Sequence, residues 1–206
     1  MGPARLWYST VLFLLTLLIT VPSQAQGPTE QIKETTDKIL AIVSDPSLKS
    51  PDKKEEKIRR LRKVVDERFD WREMSRRTLA RHWAERTEEE KEEFIRLFGE
   101  LLERTYRDKV DSYSGEKVVF VGERVDGDYG AVKVKVVGQD QRDIPVLYRV
   151  KKKGNDWLVY DISIEGVSLI NNYRSQFNNI IVRSSYDKLI KMLRAKVQGG
   201  EEKSEE

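Results

Sequence analysis

Ala131-Val132-Lys133-Val134-Lys135-Val136-Val137 alternates apolar and charged residues with a period of two. Val132, Val134 and Val136 therefore share one face of a strand, and Lys133 and Lys135 share the other. Three runs of the same kind lie around it. Lys117 to Val125 precedes it, and Ile144 to Lys152 and Trp157 to Ile164 follow, all rich in Val, Ile, Tyr and Trp. The links are turn residues: Asp126-Gly127-Asp128, then Gly138 to Asp143, then Gly154-Asn155. Connections this short cannot carry a crossover between parallel strands, so the four runs form an antiparallel meander. On the third run Ile144, Val146, Tyr148 and Val150 alternate with Pro145, Leu147 and Arg149; on the fourth, Leu158, Tyr160, Ile162 and Ile164 share a face.

On either side of the meander the period becomes helical. Upstream, Thr29 to Val43 carries Ile32, Ile39, Leu40 and Val43 on one stripe and stops at Asp45-Pro46. Ser50-Pro51 opens a second helix with Ile58, Leu61, Val65 and Phe69. Asp70 caps a short third one bearing Trp71, Met74, Thr78 and Leu79. Thr87-Glu88-Glu89-Glu90 is a capping box for the longest helix, with Phe94, Leu97, Phe98, Leu101, Leu102 and Thr105 at helical spacing. Downstream of Gly166, Leu169, Ile170, Tyr173, Phe177, Ile180 and Ile181 resume the helical period, then Tyr186, Leu189, Ile190 and Leu193. Helices, a four-stranded twisted sheet and helices again make an α+β domain, with helices covering one face of the sheet.

Composition sets what chemistry this domain can hold. The chain has 206 residues, 35% of them charged and 38% hydrophobic, with a formal net charge of +3. The charge is too small for a dedicated nucleic-acid binder. No cysteine is present, which excludes disulfides, thiolate metal sites and cysteine nucleophiles. His82 is the sole histidine, so multi-histidine metal sites are excluded as well. Arg5, the apolar run Val11 to Val21, Pro22 and the small residues Ser23 and Ala25 form an export signal cleaved after Ala25. The expected organisation is a signal peptide over 1–25, one domain over 26–198 and a disordered acidic tail over 199–206.

No catalytic signature occurs: neither G-x-S-x-G, nor a Walker A loop, nor G-x-G-x-x-G. His82 reads as a packed or surface residue. Asp161 is the one carboxylate within the apolar part of a strand, and it reads as a structural salt bridge or loop anchor. A buried acid beside a cavity can also serve as a general base. Glu55/Arg59, Glu56/Arg60, Glu73/Arg77, Glu92/Arg96 and Glu100/Arg104 place Glu four residues before Arg, the order that pairs on a helix face. One imbalance survives: Lys57 to Arg81 holds ten Lys or Arg against four Asp or Glu. Such a patch suits anionic headgroups or an acidic partner, and a solvated surface equally.

One block is more specific than any of these patterns. Trp157-Leu158-Val159-Tyr160-Asp161-Ile162-Ser163-Ile164-Glu165-Gly166-Val167-Ser168-Leu169-Ile170-Asn171-Asn172-Tyr173-Arg174-Ser175-Gln176-Phe177 resembles the signature of the MlaC family, the periplasmic phospholipid carriers also called toluene-tolerance auxiliary proteins of ABC transporters. Phe69-Asp70, Met74 and Leu79-Ala80-Arg81-His82-Trp83 resemble an upstream family stretch, although glycine is expected in place of Ala80. Thr87 to Lys91, Phe94, Phe98, Leu101-Leu102 and Thr105-Tyr106 resemble another.

The resemblance implies a monomeric, non-enzymatic periplasmic carrier with no cofactor and no nucleic-acid partner. Its ligand is a diacyl phospholipid, with the acyl chains in an apolar pocket and the headgroup in water. Its implied partners are an outer-membrane lipoprotein–porin complex and an inner-membrane ABC transporter with a substrate-binding hexamer. The expected lining takes Trp83, Phe98 and Leu102 from the upstream helices and Leu169 and Tyr173 from the downstream ones. From the strands it takes Val132, Val134, Val136, Val146, Tyr148, Tyr160 and Ile162. Arg76, Arg77, Arg81 and Arg174 are the expected headgroup or partner contacts. Two other readings stay open: a carrier of another lipid such as a hopanoid, and a ketosteroid-isomerase-like enzyme with Asp161 as proton shuttle.

Overall fold

The computed structural model describes residues 26–138 and 143–199. The expected signal peptide and residues 200–206 of the expected tail lie outside the described residues. Helix α1 runs Pro28–Ser44, with proline in its first turn where no backbone donor is needed. Two short 3-10 turns, Pro46–Leu48 and Pro51–Lys53, lead into α2, Lys54–Arg68. Asp70 caps α3, Trp71–Leu79, by accepting from the Glu73 N–H at 2.9 Å. The capping box forms as read. The Glu90 carboxylate accepts from the Thr87 N–H at 2.9 Å, and the Thr87 hydroxyl accepts from the Glu90 N–H at 3.2 Å, opening α4, Glu88–Asp111.

The sheet contains β1, Lys117–Asp126; β2, Tyr129–Val137; β3, Asp143–Lys153; and β4, Asp156–Ile164, in sequential antiparallel order. A fifth strand, β5, Val167–Ser168, folds back on β4. Its two residues are too few to show a period, so sequence pattern alone predicts four strands. Glu165 and Gly166, with φ of 51° and 84°, make the tight reversal that pairs Ile164 with Val167. Helices α5, Leu169–Arg183, and α6, Tyr186–Gln198, follow, capped by the Ser168 and Ser185 hydroxyls. Among the described residues no helix is long and apolar enough to cross a membrane.

Apolar residues gather in two cores. One joins α3, α4, α5 and α6 through Met74, Leu79, Phe94, Leu97, Phe98, Phe177 and Leu189. Within it Phe98 meets Phe177 and Tyr173 edge-on, at 5.9 and 5.4 Å between ring centroids. The other lies on one face of the sheet, where Ile32 of α1 covers Val132, Val134, Val150, Trp157 and Val159. Gln31 of α1 ties these parts together: its carbonyl accepts from the Trp157 N–H at 2.9 Å and from Arg68 at the end of α2, and its amide donates to the Asn155 carbonyl.

A bulge in β4 corrects the expected strand faces. Arg149 pairs with Asp161 and Val150 with Val159, so Tyr160 is an extra residue. Trp157 and Val159 therefore join Ile162 on the covered face, in place of Leu158 and Tyr160. Tyr160 instead lies under the Arg77 guanidinium of α3, 4.1 Å from ring centre to Cζ, and edge-on to Tyr129.

Candidate functional site

Between the two cores lies a cavity of about 650 Å³. Its floor is the sheet: Tyr148 pairs with Ile162 and Val146 with Ile164, and Tyr148, Ile162 and Ile164 face the opening, with Leu169 beside them. One wall is α2, with Ile58, Leu61 and Val65 on a single stripe; the opposite wall is α4, with Ile95, Gly99, Leu102 and Tyr106. Phe69, Trp71 and Met74 complete the apolar lining around the start of α3. The size falls within the roughly 300–1,000 Å³ typical of small-molecule pockets.

The α2 wall explains why the space stays open. An amphipathic helix normally buries its apolar stripe against a partner. Helix α2 has the stripe yet no buried residue, and Ile58, Leu61 and Val65 remain half-buried. At Gly99, α4 presents bare backbone, and an added Cβ would meet only the Trp71 ring, at 3.9 Å.

Charge is confined to six lining residues: Arg62 and Asp66 on α2, and Arg96, Glu100, Glu103 and Arg107 on α4. The Arg96 guanidinium donates to Glu100 at 3.2 Å, and the Asp66 carboxylate accepts from the Trp71 indole N–H at 2.7 Å. Glu103 receives Arg62 across the gap at 2.9 Å and Arg107 from its own helix at 3.1 Å. The Arg107 Nε–H is buried with no partner among the described residues. Leaving such a donor unpaired costs about 1–3 kcal/mol. Burial pushes the Tyr148 phenol above its usual pKa, and burial, with Tyr173 second, does the same to Tyr106, so both rings stay neutral donors.

The expected lining divides in two. Leu102, Tyr148, Ile162 and Leu169 line the cavity, and the rest of the expected set does not. Val132 and Val134 share the face of Tyr148 and Val146 by register, but α1 fills the space above them, so they are solid core. Val136 is half-buried opposite Ile144, and Val146 packs onto the same core. Phe98 is fully buried among the helices, with Tyr173 and Trp83 against that core. Tyr160 is displaced by the bulge.

The four expected basic contacts lie elsewhere as well. Arg76 and Arg77 both hold Glu73, at 2.7 Å. Arg81 and Arg174 border a separate hollow of about 320 Å³ with Ala80 and Asn178. The basic residues at the cavity are instead Arg62, Arg96 and Arg107, of which only Arg62 falls in the basic run from Lys57 to Arg81. The signal for the α2 wall was present in the helical spacing of Ile58, Leu61 and Val65, three of the four apolar residues in a helix otherwise made of charged ones.

Asp161 does not line the cavity. Its carboxylate accepts from Arg149 at 3.0 Å, from the Ser168 hydroxyl at 2.7 Å and from the Ile170 N–H at 3.2 Å, fixing the start of α5. His82 is half-buried, 3.1 Å from the Asn178 side-chain oxygen. Among the described residues no group of three or more His, Asp or Glu could hold a metal ion.

A model of the MlaC protein family matches residues 33–195 of this chain. The intermembrane phospholipid transport system binding protein MlaC of Haemophilus influenzae is 29% identical over 119 residues, covering 55% of this chain and 56% of that protein, so the match spans little more than half the relative's length. Among solved structures, a phospholipid-binding protein from Ralstonia solanacearum in complex with a phospholipid aligns with a TM-score of 0.71 and 27% identity. That alignment covers 82% of this chain and 95% of the other.

Proposed function

The chain belongs to the MlaC family, and on that premise we propose that it is a phospholipid carrier, holding acyl chains in the cavity between α2, α4 and the sheet. The observation that carries this reading is the apolar stripe of α2, which faces an open space of about 650 Å³ where a partner element would normally stand. The phospholipid bound to the Ralstonia solanacearum neighbour supports it.

Two acyl chains hold roughly 30 methylenes, and at ~0.8 kcal/mol each their transfer into water costs over ~20 kcal/mol. A protein wall as apolar as a bilayer removes that cost. Transfer then needs neither a chemical step nor a cofactor. A proton shuttle would have to face the ligand, and Asp161 faces Arg149 and the start of α5. In this reading residues 1–25 direct export, the carrier works in the periplasm as a monomer, and it exchanges lipid between an outer-membrane lipoprotein–porin complex and an inner-membrane ABC transporter.

Lipid extraction and mass spectrometry of protein purified from a bacterial host test the reading. About one diacyl phospholipid per chain is expected, as a single cavity of this size holds one ligand. Folded protein that repeatedly emerges lipid-free and takes none up from phospholipid vesicles overturns it. Bound hopanoid would replace the phospholipid with another cargo.

A further inference from the structure

The charges at the cavity do not all cancel locally. Over the six lining residues three arginines balance three carboxylates, but not pair by pair: Arg96 has Glu100, while Asp66 accepts only from the neutral Trp71 indole among the described residues. Glu103 alone stands between two guanidinia, Arg62 of α2 and Arg107 of α4. That cluster keeps one positive charge, and within it the Nε–H of Arg107 is buried without an acceptor among the described residues. A phosphodiester carries one negative charge and offers oxygens that match an arginine fork. Arg62 is 47% exposed and Arg107 29%, so water reaches the cluster, but the one donor sealed within it is costly to leave unfilled.

We propose that Arg107, assisted by Arg62, binds the phosphate of the carried lipid, displacing Glu103, the counter-ion that the two guanidinia share in its absence. The inference rests on the carrier reading and refines it. The acyl chains run from this cluster toward Tyr148, Ile162 and Ile164, while the alcohol beyond the phosphate stays in water. The cavity then distinguishes phospholipids from neutral lipids with the same chains, a choice its apolar walls cannot make.

The test is displacement of a fluorescent fatty-acid probe from the full mature chain by dioctanoyl phosphatidylglycerol and by dioctanoylglycerol. Wild type should prefer the phospholipid, and Arg107→Gln should lose roughly tenfold in affinity for it, the scale of one charge-assisted hydrogen bond. Affinity for dioctanoylglycerol should not change. Arg107→Lys, which keeps the charge and loses the fork, should fall between the two. Glu103→Gln should bind the phospholipid more tightly, because a competing carboxylate is gone; a purely structural Glu103 would weaken both lipids together.

Equal wild-type affinity for the two lipids overturns the proposal without any variant, and so does an Arg107→Gln protein that weakens both equally. Inorganic phosphate is the third probe. If it binds alone at millimolar concentration and that binding disappears in Arg107→Gln, the cluster is a free-phosphate site and the lipid assignment fails. If neither lipid displaces the probe from wild type, the carrier reading itself falls.

Discussion

At Ala80 the backbone takes φ 49° and ψ −118°, where α3 ends and a short 3-10 turn over Ala80–Trp83 begins. Only glycine reaches this region without strain, which costs other residues of order 1–3 kcal/mol. The glycine that the family resemblance leads one to expect there thus has a physical reason. Ala80→Gly should raise stability by about 1 kcal/mol in urea unfolding, since the strain it relieves exceeds the added freedom of the unfolded chain. An unchanged or lower midpoint would mean that the turn is not strained. Asp161 works in the opposite direction. Its three hydrogen bonds hold β3, β5 and α5 together, and Asp161→Asn should cost about 1–3 kcal/mol while bound lipid persists. A variant of wild-type stability that lost a measurable turnover would instead make Asp161 catalytic. Glu73 supplies a pH dependence. Hydrogen bonding from Arg76, joined by Arg77, holds its carboxyl down from 4.5 to about 2. The folded state therefore binds its proton less readily than the unfolded chain does. The stability this contributes is complete above about pH 4.5 and is lost as pH falls toward 2. Melting temperatures taken stepwise over that window should fall less steeply in Glu73→Gln than in wild type, and parallel curves would remove Glu73 from the account.

The elements were far more legible in the sequence than the cavity they enclose. Period-two runs gave four strands, and Thr87 and Asp70 marked helix starts, because capping and alternation act within a few residues, whereas Ser50-Pro51 opens a 3-10 turn and α2 begins only at Lys54. The bulge at Tyr160 was not legible, since it breaks phase without breaking composition, and it carried Tyr160 away from the expected lining. Val132 and Val134 lie away from the cavity for a different reason. Their face is the apolar one, but which part of that face is covered depends on where α1 docks, a long-range fact that local spacing does not contain. The ion pairs show the same limit. Glu56 pairs with Arg60 and Glu73 with Arg77 as spacing suggests, whereas Arg96 turns forward to Glu100 and Glu92 meets Arg72 of α3. Helix α4 offers a direct probe of the cavity through Gly99. Gly99→Ala meets Trp71 at ordinary contact distance and should stabilise the protein by about 0.5–1 kcal/mol, the usual gain for alanine over glycine within a helix. Gly99→Leu extends further, into the open volume. The expected outcome is a folded protein, by circular dichroism, with clearly reduced phosphorus content. Full lipid content in Gly99→Leu would place the acyl chains elsewhere.

Across the whole molecule, stability is unevenly distributed, and the distribution follows the two cores. Helices α3 to α6 share aromatic and leucine packing with several side chains fully buried. The covered face of the sheet has its own core under α1. Helix α2 belongs to neither, with no buried residue and its apolar stripe turned toward the cavity. Its attachments include the Arg68 bonds to Gln31, Thr35 and the Trp157 carbonyl, the packing against α1, the Trp71–Asp66 hydrogen bond and the Arg62–Glu103 pair across the gap. Regions with few buried apolar contacts open at lower free energy than the core, and a ligand that covers them raises that free energy by mass action. Acyl chains lying against Ile58, Leu61 and Val65 would supply the partner that α2 otherwise lacks. Hydrogen exchange on lipid-bound and lipid-stripped protein should therefore differ most within Lys54–Arg68. There, amides should exchange faster once lipid is removed, while α5 and the buried part of α4 stay protected. If stripping lipid leaves α2 unchanged and loosens α5 or α6 instead, the chains are held by the helical core, and the open wall of α2 must be explained by something other than cargo.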